Sequence, residues 1–283
     1  MVFKRLLGSP GAGGPTVDTV LEPGPVRPGG TLAGQVRLVG GGAALDVEQL
    51  TLALVARIEN GNGGSGGNQV PAVLFERFTL GGGFRLGEGE TRTVPFGVTL
   101  PWETPVTELD GRDLGVRLGV RTELEVAGAR DSGDGLDPLG VGPLPAQEAI
   151  LEAFQRLGYG LRSAGLEHGR IGGTGQRLPF HQEIGLTPAP PYADRVREIE
   201  LTFLTHPGGI DVVLEADKRG AVPDSDEYPG HDALSRFTVG HDDTRDWTTE
   251  VDGWVRELVE HREAYGSDSA YGHDAPHGRQ AEG

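Results

Sequence analysis

Residues 50–58, LTLALVARI, decide the fold class of this chain. Apolar residues stand at every second position, and residues 116–126 repeat the alternation with arginine, glycine and glutamate between the apolar positions. Side chains on a β-strand point to opposite faces with a period of two residues. Each segment is therefore predicted to be a strand with one buried face and one wetted face, which is typical of an antiparallel β-sandwich.

The same alternation, bounded by glycine and proline turns, predicts further strands along the chain. They cover residues 15–21, 31–39, 70–80, 92–100, 159–167, 178–186, 197–205, 210–216 and 235–239. Two segments have helical spacing instead: residues 146–157, which end at Gly158, and residues 247–262, which begin after the candidate cap Asp246.

These elements predict an all-β protein with two β-sandwich domains in tandem. The expected division is a first sandwich over residues 1–130, a linker rich in Gly, Pro and Asp over 131–145, and a second sandwich with its connecting helix over 146–220. An acidic tail over 221–283 carries the amphipathic helix, and from residue 266 onward its composition predicts disorder.

Composition restricts the class of protein. The chain has 283 residues with 48 Gly and 20 Pro, and it has no Cys, which excludes disulfides and cysteine-based zinc sites. No apolar run is long enough to span a bilayer, so a cytoplasmic bacterial protein is expected. Residues 1–8 can form one amphipathic turn, which leaves a weak peripheral membrane contact open.

Charge argues against nucleic acid as a partner. The formal net charge is −17, and residues 221–283 alone have 15 acidic against 5 basic side chains. A strongly acidic chain without a basic stripe in its sequence is repelled by phosphate backbones.

No group of residues predicts catalysis, so the chain is not expected to be an enzyme. Residues 63–67, GGSGG, match the nucleophile pattern G-x-S-x-G, but they lie in a run of Gly and Asn without a following helix and predict a flexible loop. No cofactor is expected.

Histidines raise one alternative. His181 and Glu183 lie two residues apart in a predicted strand and therefore share a face, which suits a metal ligand pair or a general base. Five more histidines lie in the tail, where we expect only incidental metal binding: His231, His241, His261, His273 and His277.

The tail helix is the strongest candidate for partner binding. Its apolar face is formed by Trp247, Val251, Trp254, Val255 and Leu258. Two roles are open: the face packs on the protein's own sandwich, or it inserts into a groove of a partner protein. Under the second role, the substitution Trp254→Asp should abolish partner binding and leave the fold intact.

Several motifs, in order and spacing, resemble the bacterial sporulation-control family of the stage-zero M type, which is arrestin-like. The matching segments are VDTVL (17–21), VRPGG (26–30), GQV (34–36), VPF (94–96), LPWETP (100–105), VRTEL (120–124), AILEAF (149–154), LGY (157–159), LPFHQE (178–183), REIEL (197–201) and EAD (215–217). The resemblance covers residues 1–220 approximately.

The resemblance implies two tandem arrestin-like sandwiches and a non-catalytic regulatory role in sporulation or a related developmental decision. We therefore expect an adaptor that binds other proteins through sheet edges, the linker over residues 131–145 or the tail helix. A homodimer through an edge strand is open, and the sequence does not identify the partner. The alternative hypothesis is a β-sandwich module that binds a metal or a carbohydrate.

Overall fold

The computed structural model describes the backbone of residues 4–6, 13–58, 72–127, 129–131, 135–218 and 234–268. Within these residues the chain forms seventeen strands, one short 3₁₀-helix and two α-helices. The predicted all-β class, the connecting helix and the C-terminal amphipathic helix are confirmed. In the described part of the chain no helix is long and apolar enough to cross a membrane.

The first domain contains two antiparallel sheets that enclose an apolar core. Its strands are β1 (Lys4–Leu6), β2 (Thr16–Leu21), β3 (Thr31–Val39), β4 (Leu45–Arg57), β5 (Ala72–Gly81), β6 (Phe84–Leu86), β7 (Thr91–Thr99), β8 (Glu108–Leu109), β9 (Arg112–Asp113), β10 (Arg117–Val126), β11 (Ala129–Asp131) and β12 (Asp137–Pro138). One sheet has the order β1-β2-β3-β7 and the other β11-β10-β4-β5, with β6 paired to β4 and β12 to β10. Strands β8 and β9 form a separate small hairpin.

The second domain contains one five-stranded antiparallel sheet of order β13-β14-β15-β16-β17 and two helices that share its core. Its elements are α1 (Pro145–Arg156), β13 (Gly160–His168), β14 (Phe180–Thr187), β15 (Val196–His206), β16 (Gly209–Lys218), β17 (Leu234–Val239) and α2 (Trp247–Asp268). The 3₁₀-helix, Pro190–Tyr192, connects β14 to β15.

The linker and the tail contribute to the two domains. Within the predicted linker, β12 pairs with β10, and Asp137 is buried. Within the predicted tail, β17 forms the fifth strand of the second domain's sheet, and α2 covers that sheet. These pairings bury backbone groups and apolar side chains that would otherwise face water.

Several local predictions were wrong. Residues 50–58 were predicted to have one wetted face, but Ala53 is 0 % exposed and Val55 is 1 % exposed. Strand β4 lies at the centre of its sheet, and its register places Ala53 between Arg77 and Arg121, whose aliphatic stems are long enough to cover it. At the N-terminus, Lys4–Leu6 form a strand paired with β2 instead of a helical turn.

Candidate interaction site at the domain junction

Residues 102–106, here called the junction segment, follow β7 in the first domain and contact the second domain. Glu103 makes the first contact. Its carboxylate accepts hydrogen bonds from the backbone N–H of Arg177, at 2.7 and 2.9 Å, and from that of Leu178, at 2.7 Å. Hydrogen bonds to an ionised acceptor are about twice as strong as neutral ones. One side chain of the first domain therefore holds the backbone just before β14.

Gln182 makes the second contact from the opposite direction. Its side-chain oxygen accepts from the Val106 N–H at 2.9 Å, and its side-chain nitrogen donates to the Val106 carbonyl oxygen at 2.8 Å. The amide therefore satisfies both polar groups of one buried backbone residue, as a neighbouring strand would.

Trp102 makes the third contact. Its ring stacks on the His241 ring with centroids 4.8 Å apart and an interplanar angle of 26°. The ring also lies against Gly29, where an added Cβ would come within 2.6 Å of the indole. The His241 Nε2 lies 2.8 Å from the carbonyl oxygen of His206, which fixes the imidazole.

An apolar core continues across the junction. Leu166, Leu178 and Phe180 of the second domain belong to the same buried cluster as Leu54 and Leu118 of the first. The Phe180 ring also contacts Phe75 of β5 edge to face, with centroids 5.6 Å apart. Polar and apolar contacts together fix the orientation of the two domains.

Beside the junction segment lies a small cleft with a volume of about 20 Å³, roughly the room for one water molecule. Residues of α1, β14 and β15 complete its walls, among them Gln147 and Thr205. Gln147 accepts from the Leu144 N–H at 2.8 Å and donates to the Thr205 hydroxyl at 3.4 Å. The side chains of Gln147 and Thr205 in the wall of the cleft therefore bind each other.

His181 and Glu183 do share a face of β14, and they bind each other. The His181 Nε2 lies 3.0 Å from the Glu183 carboxylate. Burial by itself would lower the pKa of His181, but the hydrogen bond and the charge of Glu183 outweigh it, so the pKa is raised above its usual 6.5. Among the residues with described side chains, no group of three His, Cys, Asp or Glu has the arrangement of a metal site. The proposed metal or general-base role of the pair stays a prediction.

Other candidates lie partly outside the described residues. Residues 63–67 and His231, His273 and His277 are not described, nor is the side chain of His261. His241, the remaining histidine of the predicted tail cluster, belongs to the junction.

The apolar face of α2 packs in the core of the second domain. All five predicted residues, Trp247, Val251, Trp254, Val255 and Leu258, are buried there. The Trp254 ring stacks on Phe237 of β17 at 4.7 Å. In this structure the helix has the first of its two predicted roles, packing on its own domain; partner binding stays a prediction and would require α2 to be released.

The cap of α2 was predicted correctly. The Asp246 carboxylate accepts hydrogen bonds from the Thr249 hydroxyl at 2.8 Å and from the Thr248 N–H at 3.1 Å. The bonds from Thr249 and Thr248 hold the pKa of Asp246 below its usual value.

Sequence reasoning missed the contacts of Glu103 and Gln182. Both residues lie in segments that carry the family resemblance, LPWETP and LPFHQE, which are separated by more than seventy residues. The polar residues of these two motifs were the available signal. Its partner could not be named, because the contacts are formed only when the two domains meet.

Comparison with known proteins identifies the relatives of this chain. The family model described as SpoOM protein (Spo0M) matches residues 3–220. The sporulation-control protein spo0M of Bacillus subtilis (strain 168) is 34 % identical over 218 residues, which are 77 % of this chain and 81 % of that protein. The crystal structure of Spo0M from Bacillus subtilis aligns with a TM-score of 0.65 and 28 % identity, over 91 % of this chain and 99 % of that one.

Proposed function

The chain belongs to the Spo0M family, and from this premise we propose that it is a non-catalytic regulator of sporulation that acts in the cytoplasm by binding other proteins. The name of the relative supports the regulatory role. The adaptor mechanism is our inference.

The adaptor mechanism rests on one observation: the polar residues of the motifs LPWETP and LPFHQE already bind other groups of the protein itself. Glu103 and Gln182 bind the backbone of the opposite domain, and His181 binds Glu183. Glu103 and Gln182 thereby hold the two β domains in one orientation, and the His181–Glu183 pair is already formed within β14. A scaffold of this kind presents loops and sheet edges in fixed positions, which suits protein recognition.

Complementation tests the regulatory role. We would express the full chain in a Bacillus subtilis strain that lacks its own spo0M and count heat-resistant spores against the parent strain. The chain should restore the parental count, and so should the double variant His181→Ala, Glu183→Gln. If the folded double variant alone failed to restore the count, the metal or general-base alternative would replace the adaptor mechanism. A wild-type chain present at normal level without effect would contradict the regulatory role itself.

Cross-linking in the same cells tests the adaptor mechanism. The full chain should give a discrete cross-linked product with a second protein, identified by mass spectrometry. A truncation after residue 220 is unsuitable, because it removes β17 and α2 from the core of the second domain. Cross-links of the chain only to itself would identify a homodimer and contradict the adaptor mechanism.

A further inference from the structure

Four arginines lie on one face of the sheet formed by β10, β4 and β5. Arg57 stands directly opposite Arg117, and two rows further along Ala53 stands between Arg121 and Arg77. Residues paired in register project to the same face of a sheet. The alternate residues of β4 and β10 form the buried core, so the four arginines, here called the arginine face, point away from it.

Two of these arginines have carboxylate partners on the same domain. The Arg77 Nε lies 3.2 Å from the buried carboxylate of Glu123, and the Arg117 guanidinium lies 2.7 Å from Asp113. A guanidinium held by a carboxylate contributes little net charge to the surface around it.

The other two, Arg57 and Arg121, have no salt-bridge partner among the residues that the structure describes. The Arg121 Nε is moreover buried without a hydrogen-bond partner in the described chain. Like charges directly opposite each other on a sheet are destabilising, as Arg57 and Arg117 are here. Two uncompensated guanidinium groups therefore lie on a protein whose formal net charge is −17.

Leu136 lies between the two arginine rows. Its Cβ is 2.9 Å from the position that a Cβ on Gly119 would take, and Gly119 stands between Arg117 and Arg121 on β10. The face therefore consists of a cation, an apolar contact and a second cation. Arg117 and Arg121 are four residues apart, which on a strand is about 13 Å.

We propose that the arginine face binds an extended acidic segment of a partner protein, with two carboxylates four residues apart and an apolar residue midway between them. In an extended segment, residues i, i+2 and i+4 face the same side at the spacing of the arginine rows. This inference rests on the proposed adaptor function and names one surface and one partner chemistry for it.

A short acidic peptide fits the charge of the protein better than a nucleic acid does. Charges are screened over about 10 Å at 0.1 M salt, so a short segment interacts mainly with the arginines that it touches. A nucleic acid is longer than the arginine face, so its phosphates also lie near the acidic side chains of the rest of the protein and are repelled by them.

The test uses the full chain and a labelled peptide, acetyl-Ser-Glu-Thr-Val-Thr-Glu-Ser-amide, measured by fluorescence anisotropy at about 0.1 M salt. Binding should weaken at least tenfold in Arg57→Gln and further in the double variant Arg57→Gln, Arg121→Gln. The matched control, Arg27→Gln, Arg85→Gln, changes the net charge equally at exposed arginines off the face and should bind like the wild type. A peptide with lysine in place of glutamate should not bind.

Several results would overturn the proposal. They are absence of binding, equal loss in the control variant, binding of inorganic phosphate as tight as that of the peptide, and a monomer–dimer change in Arg57→Gln that identifies a second copy as the occupant. Because Arg57 is exposed, its variant should keep the wild-type melting temperature. If the peptide fails while the chain restores spore counts and cross-links to a partner, this inference fails and the adaptor function stands.

Discussion

The hydroxyl of Tyr159 is buried in the second domain and has no hydrogen-bond partner among the described residues. Burial is the main cause that raises the pKa of this phenol. Its ring packs edge to face on Phe154 with centroids 5.2 Å apart, so the aromatic body is well placed and only the hydroxyl is unsatisfied. An unsatisfied buried polar group costs about 1–3 kcal/mol.

We therefore expect Tyr159→Phe to leave the stability unchanged or to raise it by about 1 kcal/mol, because it removes the unsatisfied hydroxyl and keeps the ring. Urea unfolding followed by circular dichroism measures the change. Tyr192→Phe, at a partly exposed tyrosine, is the matched control and should have no effect. A loss of stability in Tyr159→Phe alone would contradict the prediction and identify an ordered partner for the hydroxyl.

The raised pKa of His181 predicts how the His181–Glu183 pair contributes to stability as the pH changes. The folded value lies above the unfolded value of 6.5, so the contribution is complete below pH 6.5 and is lost as the pH rises through the folded pKa. NMR titration of the imidazole should give a midpoint above 6.5 that falls in Glu183→Gln. Equal midpoints in both proteins would show that Glu183 does not set the pKa.

The residue types of the junction and of the arginine face could be read from the sequence, but the surroundings of each side chain could not. Glu123 was assigned to a wetted face from its alternation, yet it is 3 % exposed and binds Arg77 of β5, on the far side of β4 in the same sheet. The alternation period of a strand separates its two faces and does not show what covers each of them.

At the scale of elements, helix α2 has one side buried in the second domain and one side exposed to solvent, so substitutions on the two sides should affect stability differently. Trp254 is buried against Phe237, whereas Gly253, one residue earlier, is exposed and an added Cβ would meet nothing within 4 Å. The helix periodicity predicted this apolar face correctly. It did not decide which apolar surface the face would contact.

We expect Trp254→Asp to destabilise the protein by at least about 3 kcal/mol, because it removes a buried ring and buries a carboxylate in its place. Gly253→Ala should instead stabilise it by up to about 1 kcal/mol through helix propensity. Guanidinium unfolding of the two variants beside the wild type measures both effects. A fully stable Trp254→Asp variant that lost only a partner would restore the earlier hypothesis of a detachable arm.

At the scale of the whole molecule, the junction segment couples the two domains. Hydrogen bonds to charged groups contribute about 1.5–3 kcal/mol each, and Glu103 receives bonds from two backbone N–H groups. The shared apolar cluster adds to the coupling. We therefore expect the wild-type protein to unfold in one cooperative transition.

In the double variant Glu103→Ala, Gln182→Ala the domains should unfold in two separate transitions, because the polar contacts between them are lost. Differential scanning calorimetry resolves the transitions, and Glu88→Ala, at an exposed glutamate of the first domain, is the control. A single transition at the wild-type temperature in the double variant would mean that the apolar contacts alone couple the domains.

The sequence by itself determined the β class, the strands of six or more residues, both helices and the family, because periodicity and turn residues are local properties of the chain. Tertiary structure alone decided that LPWETP and LPFHQE meet, that β17 and α2 complete the second domain, and that four arginines share one face. Each of these facts depends on strand order and register, which bring together residues that are far apart in the chain. Such long-range pairing is set by the total burial and hydrogen bonding of the folded molecule, and no local pattern encodes it.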